Sequence, residues 1–180
     1  MKIIETGFKG LFAIEPAVFE DNRGYFFESW NKDKFSKAGL NENFLQDNQS
    51  LSGANVLRGL HFQLPPWEQG KLVRVITGAV IDVVVDLRKA EPTFGQHFKY
   101  KITAAEKNML WIPPGFAHGF LTLEENTIFF YKCTQVYNRE SETSIAWFDP
   151  DLNIDWGTTE PLVSEKDKVA PLFRDFKSPF

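Results

Sequence analysis

Proline and glycine recur at short intervals from Gly7 to Pro161, and this spacing constrains the fold more than any other feature of the sequence. Both residues interrupt helices, so only short elements fit between successive turns. Many of the intervening segments are rich in β-branched and aromatic residues, which favour strands. The chain is therefore predicted to be all-β, a sandwich or barrel of short strands.

The segment at residues 80–87, VIDVVVDL, is almost entirely apolar. A strand buried on both faces has this composition, so we expect it in the interior of a sheet. Short helices are predicted only at residues 31–38 and 165–169, and residues 154–180 should wrap the strands as a tail. Further strands are predicted at residues 11–17, 25–30, 44–50, 56–63, 71–77, 96–102, 109–112, 119–123, 127–136 and 144–147.

Length and charge narrow the class of protein. A chain of 180 residues suits one domain, so residues 1–180 are expected to form a single unit. The net charge of −4 disfavours nucleic-acid binding, and no apolar run reaches the length of a membrane span. Cys133 is the only cysteine and no signal peptide is evident, so we expect a cytoplasmic protein without intramolecular disulfides.

The stretch VLRGLHFQLPPWEQGKLVRV, residues 56–75, reads as two strands that carry unusually many ionisable and amide side chains. Strict alternation would place Arg58 and His61 on opposite faces unless Gly59 bends or bulges the strand. Each residue alone fits a solvated strand face with one satisfied histidine. Their combined presence favours a pocket instead; the set is Arg58, His61, Gln63, Lys71 and Arg74.

A second histidine, His118, follows a tight Pro-Pro-Gly turn in the segment WIPPGFAHGF. Burying a histidine between Phe116 and Phe120 is costly unless the ring is hydrogen-bonded or functional. A structural histidine that caps the turn is an equally good interpretation.

Spacing connects these two segments. Gly59-x-His61-x-Gln63 with Glu68, followed by Pro113-x-Gly115-x-x-His118, resembles the two motifs of the cupin superfamily, which implies a jelly-roll barrel with short peripheral helices. Metal-binding cupins place a second histidine where this chain has Gln63. The two remaining imidazoles and Glu68 make a weak transition-metal site, and His97 lies outside both motifs, so we expect no metal.

Acid–base chemistry fits the same residues. A neutral imidazole such as His61 can act as a general base near pH 7, and an ammonium such as Lys71 can stabilise an enolate. Tyr131 lies among apolar residues, where a phenol needs a partner or a task, although a core tyrosine bonded to a backbone carbonyl is common. A base, an oxyanion stabiliser and an acid on the other face would invert a carbon next to a ketone.

A third group of polar residues lies in NRGYFFESW and FLQDNQS. Arg23 could bind a phosphate, and Gln46, Asp47 and Asn48 could read the edge of a base. Composition alone favours a simpler interpretation, a hairpin turn at residues 21–24.

Ten consecutive phrases, among them NRGYFFESW, VLRGLHFQ, LWIPPGFAHGFLTL and SETSIAWFDPDLNIDW, resemble the dTDP-4-dehydrorhamnose 3,5-epimerase family over residues 10–173. The resemblance implies a cofactor-independent isomerase that inverts carbons 3 and 5 of dTDP-4-dehydro-6-deoxyglucose. It also implies His61 as the base, oriented by Asp167, with Tyr131 as the acid and Lys71 on the enolate oxygen. Asp167 enters only through the resemblance, because composition places residues 166–168 on a solvated surface.

The remaining roles also come from the resemblance. His118 would touch the sugar, and Tyr137 would stack on the thymine, although the family often has two adjacent tyrosines where this chain has Val136-Tyr137. The family forms homodimers that exchange an N-terminal strand. The residues implied to hold the nucleotide are Arg23, Glu28, Gln46, Asp47, Asn48, Arg58, Tyr137, Glu142 and Lys166.

Three alternatives to the double epimerase stay open at this level. The first is an epimerase that acts once, at carbon 3 or carbon 5, on a related deoxysugar. The second is a catalytically silent module that binds a sugar nucleotide. The third is a metal-dependent cupin, which would lose activity on chelation.

Overall fold

The computed structural model describes residues 1–180 and consists mainly of short strands. The helices are α1 (Lys32–Lys37) and α2 (Glu165–Lys168), with a 3-10 helix at Phe173–Asp175. The strands are β1 (Lys2–Glu5), β2 (Phe12–Glu15), β3 (Val18–Asp21), β4 (Gly24–Phe27), β5 (Gln46–Ser52), β6 (Leu57–Gln63), β7 (Lys71–Thr77), β8 (Ala79–Asp86), β9 (His97–Thr103), β10 (Met109–Ile112), β11 (Phe116–Thr122), β12 (Thr127–Cys133) and β13 (Glu142–Ser144).

Two antiparallel sheets form the body of the molecule. The larger has six strands in the order β1-β2-β10-β7-β12-β5, and the smaller has five in the order β13-β6-β11-β8-β9. The hairpin β3-β4 pairs with neither sheet and forms a two-stranded sheet of its own. The predicted all-β fold of short strands with short peripheral helices is confirmed.

Three apolar clusters hold the layers together. The first lies between the two sheets and includes Val73, Val84 and Phe129. The second covers the outer face of the five-stranded sheet, where the tail packs, and the third lies under α1 around Phe35 and Trp111. The inner strands of the five-stranded sheet are therefore covered on both faces, whereas the outer face of β5, at the edge of the six-stranded sheet, is exposed.

Successive side chains of strand β8 pack into two different apolar clusters, one on each face of the sheet. Val80 and Val84 belong to the cluster between the sheets, whereas Val83 and Val85 belong to the cluster under the tail. The strand is paired on both edges, by β11 and β9. The prediction of an interior strand buried on both faces is confirmed.

A bulge interrupts the pairing of β6 with β11. His61 pairs with His118 and Arg58 with Phe120, so two residues of β6 face one residue of β11, Gly119. The extra residue turns Arg58 and His61 toward the same cavity. The expected bulge at Gly59 is confirmed, and a Cβ on this residue would lie only 2.5 Å from the Cα of Gly119.

The predicted strands correspond to observed ones, with shifted ends. Strand β11 begins at Phe116 rather than residue 119, so His118 is a strand residue and not a cap on the turn. Strands β1 and β3 were not predicted, because each has only four residues and too short an apolar pattern to stand out. None of the helices has the length and apolar character needed to span a membrane.

Candidate active site

A cavity of about 730 Å³ opens between the two sheets. One wall comes from β6 and β11 of the five-stranded sheet, and the other from β5, β7 and β12 of the six-stranded sheet. Residues 162–164 and Asp167 of the tail close one side. The volume suits a ligand of nucleotide-sugar size, and polar and apolar side chains both reach the cavity.

The first functional pair in the cavity is a histidine and a carboxylate. His61 Nε2 lies 2.6 Å from Asp167 Oδ1, and Asp167 is almost fully buried while His61 reaches the cavity. Burial opposes ionisation of Asp167, but hydrogen bonds from His61, Ser164 and the backbone of Gly59 together lower its pKa. The charged carboxylate therefore orients the ring and favours the protonated imidazole that forms when His61 accepts a proton.

Local structure explains how a tail residue reaches the cavity. The Ser164 hydroxyl caps α2 by accepting a bond from the backbone N–H of Asp167. Just before the helix, Leu57 donates its backbone N–H to the carbonyl of Leu162, which pins the tail to β6. The interpretation of residues 166–168 as solvated surface is wrong for Asp167, because the cap and this pairing turn its side chain inward.

The opposite wall carries a lysine and a tyrosine. Lys71 Nζ lies 3.5 Å from the backbone oxygen of His61 and 6.0 Å from the centre of the Tyr131 ring. Desolvation lowers the pKa of Lys71, which makes its ammonium a stronger acid, although Cys133 and nearby carboxylates oppose the shift. Desolvation also raises the pKa of Tyr131 to about 12, so the phenol stays protonated at neutral pH. The Lys71 ammonium can therefore stabilise a negative charge in the cavity, and the Tyr131 hydroxyl can donate a proton.

A second histidine–carboxylate pair lies deeper. His118 Nε2 is 2.9 Å from Asp82 Oδ2, and both side chains are buried. Burial lowers the pKa of His118, and Lys71 and His61 add to this, while Asp82 opposes it. Sequence reasoning missed Asp82, although a carboxylate within an apolar, two-sided strand signals a buried partner.

At the mouth of the cavity, polar contacts connect four side chains. The Tyr137 hydroxyl donates to Glu142 Oε2 at 2.9 Å, and Lys166 Nζ lies 2.7 Å from the same oxygen. The backbone N–H of Tyr137 donates to Gln46 Oε1 at 2.8 Å. The exposed ring of Tyr137 therefore stands on a fixed backbone, available for stacking.

Most residues predicted for the site line the cavity, and four do not. Lys166 reaches it only through Glu142. Asp47 faces away from it, because alternation along β5 points its carboxylate at Lys132. Arg23 and Glu28 form local pairs on the hairpin side of the molecule. The predicted residues in the lining are Gln46, Asn48, Arg58, His61, Lys71, His118, Tyr131, Tyr137, Glu142 and Asp167.

Arg74 and Glu68, which the sequence analysis also singled out, do not line the cavity. Arg74 lies outside the cavity, with its guanidinium carbon 5.7 Å from the centre of the Phe27 ring and 5.3 Å from that of Phe130. It therefore packs the base of the hairpin against β12. No three His, Cys, Asp or Glu side chains converge anywhere in residues 1–180, and Glu68 is not in the cavity lining.

The fold and the cavity define a class: an enzyme of the cupin fold type whose site is arranged for proton transfer. The family model described as dTDP-4-dehydrorhamnose 3,5-epimerase matches residues 5–175. The chain belongs to this family, as the sequence resemblance predicted.

Individual relatives agree with this assignment. The dTDP-4-dehydrorhamnose 3,5-epimerase of Salmonella typhimurium is 49% identical over 96% of this chain and 95% of its own length. The crystal structure of the Bacillus anthracis enzyme, with TDP and PPi bound, has a TM-score of 0.93 at 45% identity and covers 95% of this chain and 98% of that one. The Legionella pneumophila enzyme, in complex with dTDP-4-keto-L-rhamnose, also has a TM-score of 0.93, at 44% identity over 98% of this chain and 94% of that one.

Proposed function

We propose that this chain inverts carbons 3 and 5 of dTDP-4-dehydro-6-deoxy-D-glucose and so forms dTDP-4-dehydro-L-rhamnose. One observation carries the proposal: a carboxylate-oriented histidine faces a lysine and a protonated tyrosine across one cavity. The relative from Legionella pneumophila, crystallised with dTDP-4-keto-L-rhamnose, supports this substrate class.

The reaction needs two proton transfers at each carbon. His61 takes the proton from the carbon next to the ketone, and the electron pair of the broken C–H bond moves to the ketone oxygen as an enolate. Lys71 stabilises that oxygen with its ammonium. The enolate then collapses and takes a proton from the Tyr131 hydroxyl on the opposite face. Solvent returns a proton to the tyrosinate and removes one from the histidinium.

The nucleotide half of the substrate is assigned to the mouth of the cavity. Arg58, which donates to Ser52, would bind the diphosphate, and Tyr137 would stack on the thymine. Gln46, Asn48, Glu142 and Lys166 would surround the nucleoside. Asp47 stays a prediction from the family resemblance, because its side chain faces Lys132.

We also infer a homodimer in which the hairpin β3-β4 reaches the cavity of the partner. The hairpin pairs with neither sheet and exposes three aromatic rings, Phe19, Tyr25 and Phe26, at 64%, 58% and 65%. Large exposed apolar surfaces of this kind mark interaction sites. Arg23 at the turn, and Glu28 beyond it, would then serve the neighbouring site.

A mixing experiment tests the exchange. Arg23→Ala and His61→Asn chains are each expected to have little activity alone. If Arg23 acts across the dimer, a mixed dimer contains one complete site, with His61 from the first chain and Arg23 from the second. Activity should therefore return on mixing after subunit exchange, and an unchanged mixture would contradict strand exchange.

We extend the proposal to the domain organisation, the cellular location and the cofactor requirement of the enzyme. We assign residues 1–180 to a single catalytic domain, since all three apolar clusters and the tail pack on the two sheets. We place the enzyme in the cytoplasm, which suits a chain whose only thiol, on Cys133, is buried and unpaired. The proposed chemistry needs no cofactor, because side chains of the protein carry the protons and exchange them with solvent.

Deuterium exchange tests the central proposal. The wild type in D₂O should place deuterium at both carbon 3 and carbon 5 of dTDP-4-dehydro-6-deoxyglucose, as read by NMR after reduction of the product. His61→Asn should abolish this exchange and leave dTDP binding within about twofold, since the base does not hold the nucleotide. Deuterium at one carbon only would identify a single-site epimerase, and none in the wild type would indicate a silent binding module.

A further inference from the structure

Gln63 is almost fully buried, and the roles given above to the cavity residues leave it without one. It lies at the end of β6, two residues after His61, and its side chain lines the cavity. A buried amide offers two N–H donors and one oxygen acceptor, and each needs a partner. The partners of Gln63 are all backbone groups, and two of them flank Tyr137.

The amide of Gln63 holds the backbone on both sides of Tyr137. Its Nε2 donates to the carbonyl of Val136 at 3.2 Å, which is the peptide group just before Tyr137. Its Oε1 accepts from the N–H of Asn138 at 2.7 Å, which is the peptide group just after. The Gln63 side chain therefore bonds a backbone carbonyl and a backbone N–H of this loop, as a paired strand would.

The third bond extends the same contact to the other loop at the cavity mouth. Gln63 Nε2 also donates to the carbonyl of Trp67 at 2.6 Å. The loop after β6 and the loop that carries Tyr137 are thus tied to one amide at the end of the strand. Gln46 completes the arrangement by accepting the N–H of Tyr137 itself.

We propose that Gln63 is a positioning residue for nucleotide binding, which holds Tyr137 where its ring stacks on the base of a thymidine diphosphate. The inference rests on the stacking role given to Tyr137 under the proposed function. Tyr137 is half exposed, and apart from the bond from its hydroxyl to Glu142 its position depends on its backbone. Without Gln63, the loop would have to be ordered on each binding event, and the affinity would fall by that cost.

The test is a double-mutant cycle on dTDP affinity, measured by isothermal titration calorimetry. Gln63→Met keeps the size of the side chain and removes all three bonds, and should weaken dTDP binding by about tenfold. In the Tyr137→Ala background the same change should weaken binding by less than about twofold, because the ring it positions is gone. An equal loss in both backgrounds, or no loss in the wild-type background, would overturn the proposal.

Steady-state kinetics separate positioning from general damage to the fold. Gln63→Met should raise KM by about the same factor as the dissociation constant and leave kcat within about threefold, since His61 and Lys71 are untouched. A fall in kcat with unchanged KM would contradict the positioning role. Gln96→Met, at a glutamine whose amide bonds Pro92 outside the cavity, is the matched control and should change neither constant.

A second variant covers the case in which Gln63→Met does not fold. Gln63→Glu keeps the acceptor for Asn138 and opposes the carbonyls of Val136 and Trp67, so the same cycle applies to it with the same expected non-additivity. Failure of the proposed function has a different signature. If Tyr137→Ala alone leaves dTDP affinity unchanged, the stacking assignment itself is wrong; if it weakens binding but the cycle is additive, only the role of Gln63 is wrong.

Discussion

His61 and Asp167 are 106 residues apart in the sequence, yet their side chains meet at 2.6 Å. One belongs to a strand in the middle of the fold and the other to a one-turn helix in the tail. The pair therefore depends on how the tail packs on β6, and its chemistry is sensitive to the exact group at position 167.

Replacing that carboxylate with an amide should remove most of the activity. Asp167→Asn keeps the shape but cannot stabilise the imidazolium, and comparable changes in other histidine–carboxylate pairs cost up to about 10⁴ in rate. We expect kcat for deuterium exchange to fall by about 10² or more while dTDP affinity stays within about twofold. Exchange at the wild-type rate would show that His61 needs no orienting group.

Removing the Tyr131 hydroxyl should separate proton removal from inversion. Tyr131→Phe leaves His61 and Lys71 in place, so deuterium should still enter the substrate on the face where His61 acts. Inverted product should fall by about 10² or more, because no acid returns a proton on the other face. NMR of the recovered sugar distinguishes the two, and inversion at the normal rate would contradict the role of Tyr131.

The His118–Asp82 pair predicts a loss of stability on mild acidification. Burial lowers the pKa of His118 in the folded chain, whereas the unfolded histidine titrates near ~6.5. Below that pH the unfolded chain binds a proton that the folded chain does not, so the free energy of unfolding falls, by at most about 1.4 kcal/mol per pH unit.

Thermal unfolding between pH 7.5 and 5 measures this effect. His118→Gln keeps a donor for Asp82 and does not titrate, so its midpoint should depend less on pH in this window. Asp167 and Asp86 have lowered pKa values in the folded chain, so the stability that they contribute is present at neutral pH. It is lost only at more acid pH, below the ordinary carboxyl pKa of ~3.9, where the unfolded chain takes up protons first. Equal slopes for wild type and variant would contradict the prediction.

The bulge at Gly59 should tolerate no side chain. Gly59→Ala would place a Cβ 2.5 Å from Gly119 Cα, backbone against backbone, at a φ of +147°. We expect a loss of about 2 kcal/mol or more in the free energy of unfolding. Gly7→Ala is the control, since Gly7 also has positive φ (+85°) but nothing lies within 4 Å of its added Cβ, and it should cost about 1 kcal/mol. Similar losses in urea unfolding would argue against the clash.

The parts of the site carried by strands could be predicted, since alternation and apolar runs are local signals. His61 and Lys71 stood out because two neighbouring strands carry unusually many polar side chains, and Tyr131 because it lies among apolar residues. The glycine between Arg58 and Leu60 indicated the bulge. Asp167 could not be recognised by pattern, because its burial comes from a cap on Ser164 and from pairing with distant residues. Its role entered only through the family resemblance.

Asp82 and Gln63 mark a different limit. The apolar run around Asp82 correctly predicted an interior strand. Because the run was interpreted as apolar throughout, the single carboxylate within it was given no role. Gln63 was interpreted through the histidine it replaces, whereas its three bonds go to backbone groups of two loops that no periodicity connects to β6. Side chains that bond to loops leave no repeating signal in sequence.

The tail that covers the five-stranded sheet also determines when catalytic activity can appear during folding. Phe176 of the tail packs on Phe62, the residue after His61, with ring centres 5.1 Å apart. Asp167, which bonds His61, belongs to the same tail segment. The His61–Asp167 pair therefore exists only when the tail is packed on β6. A chain with both sheets formed and the tail undocked would lack this pair, so recovered turnover during refolding should report docking of the tail rather than formation of the sheets.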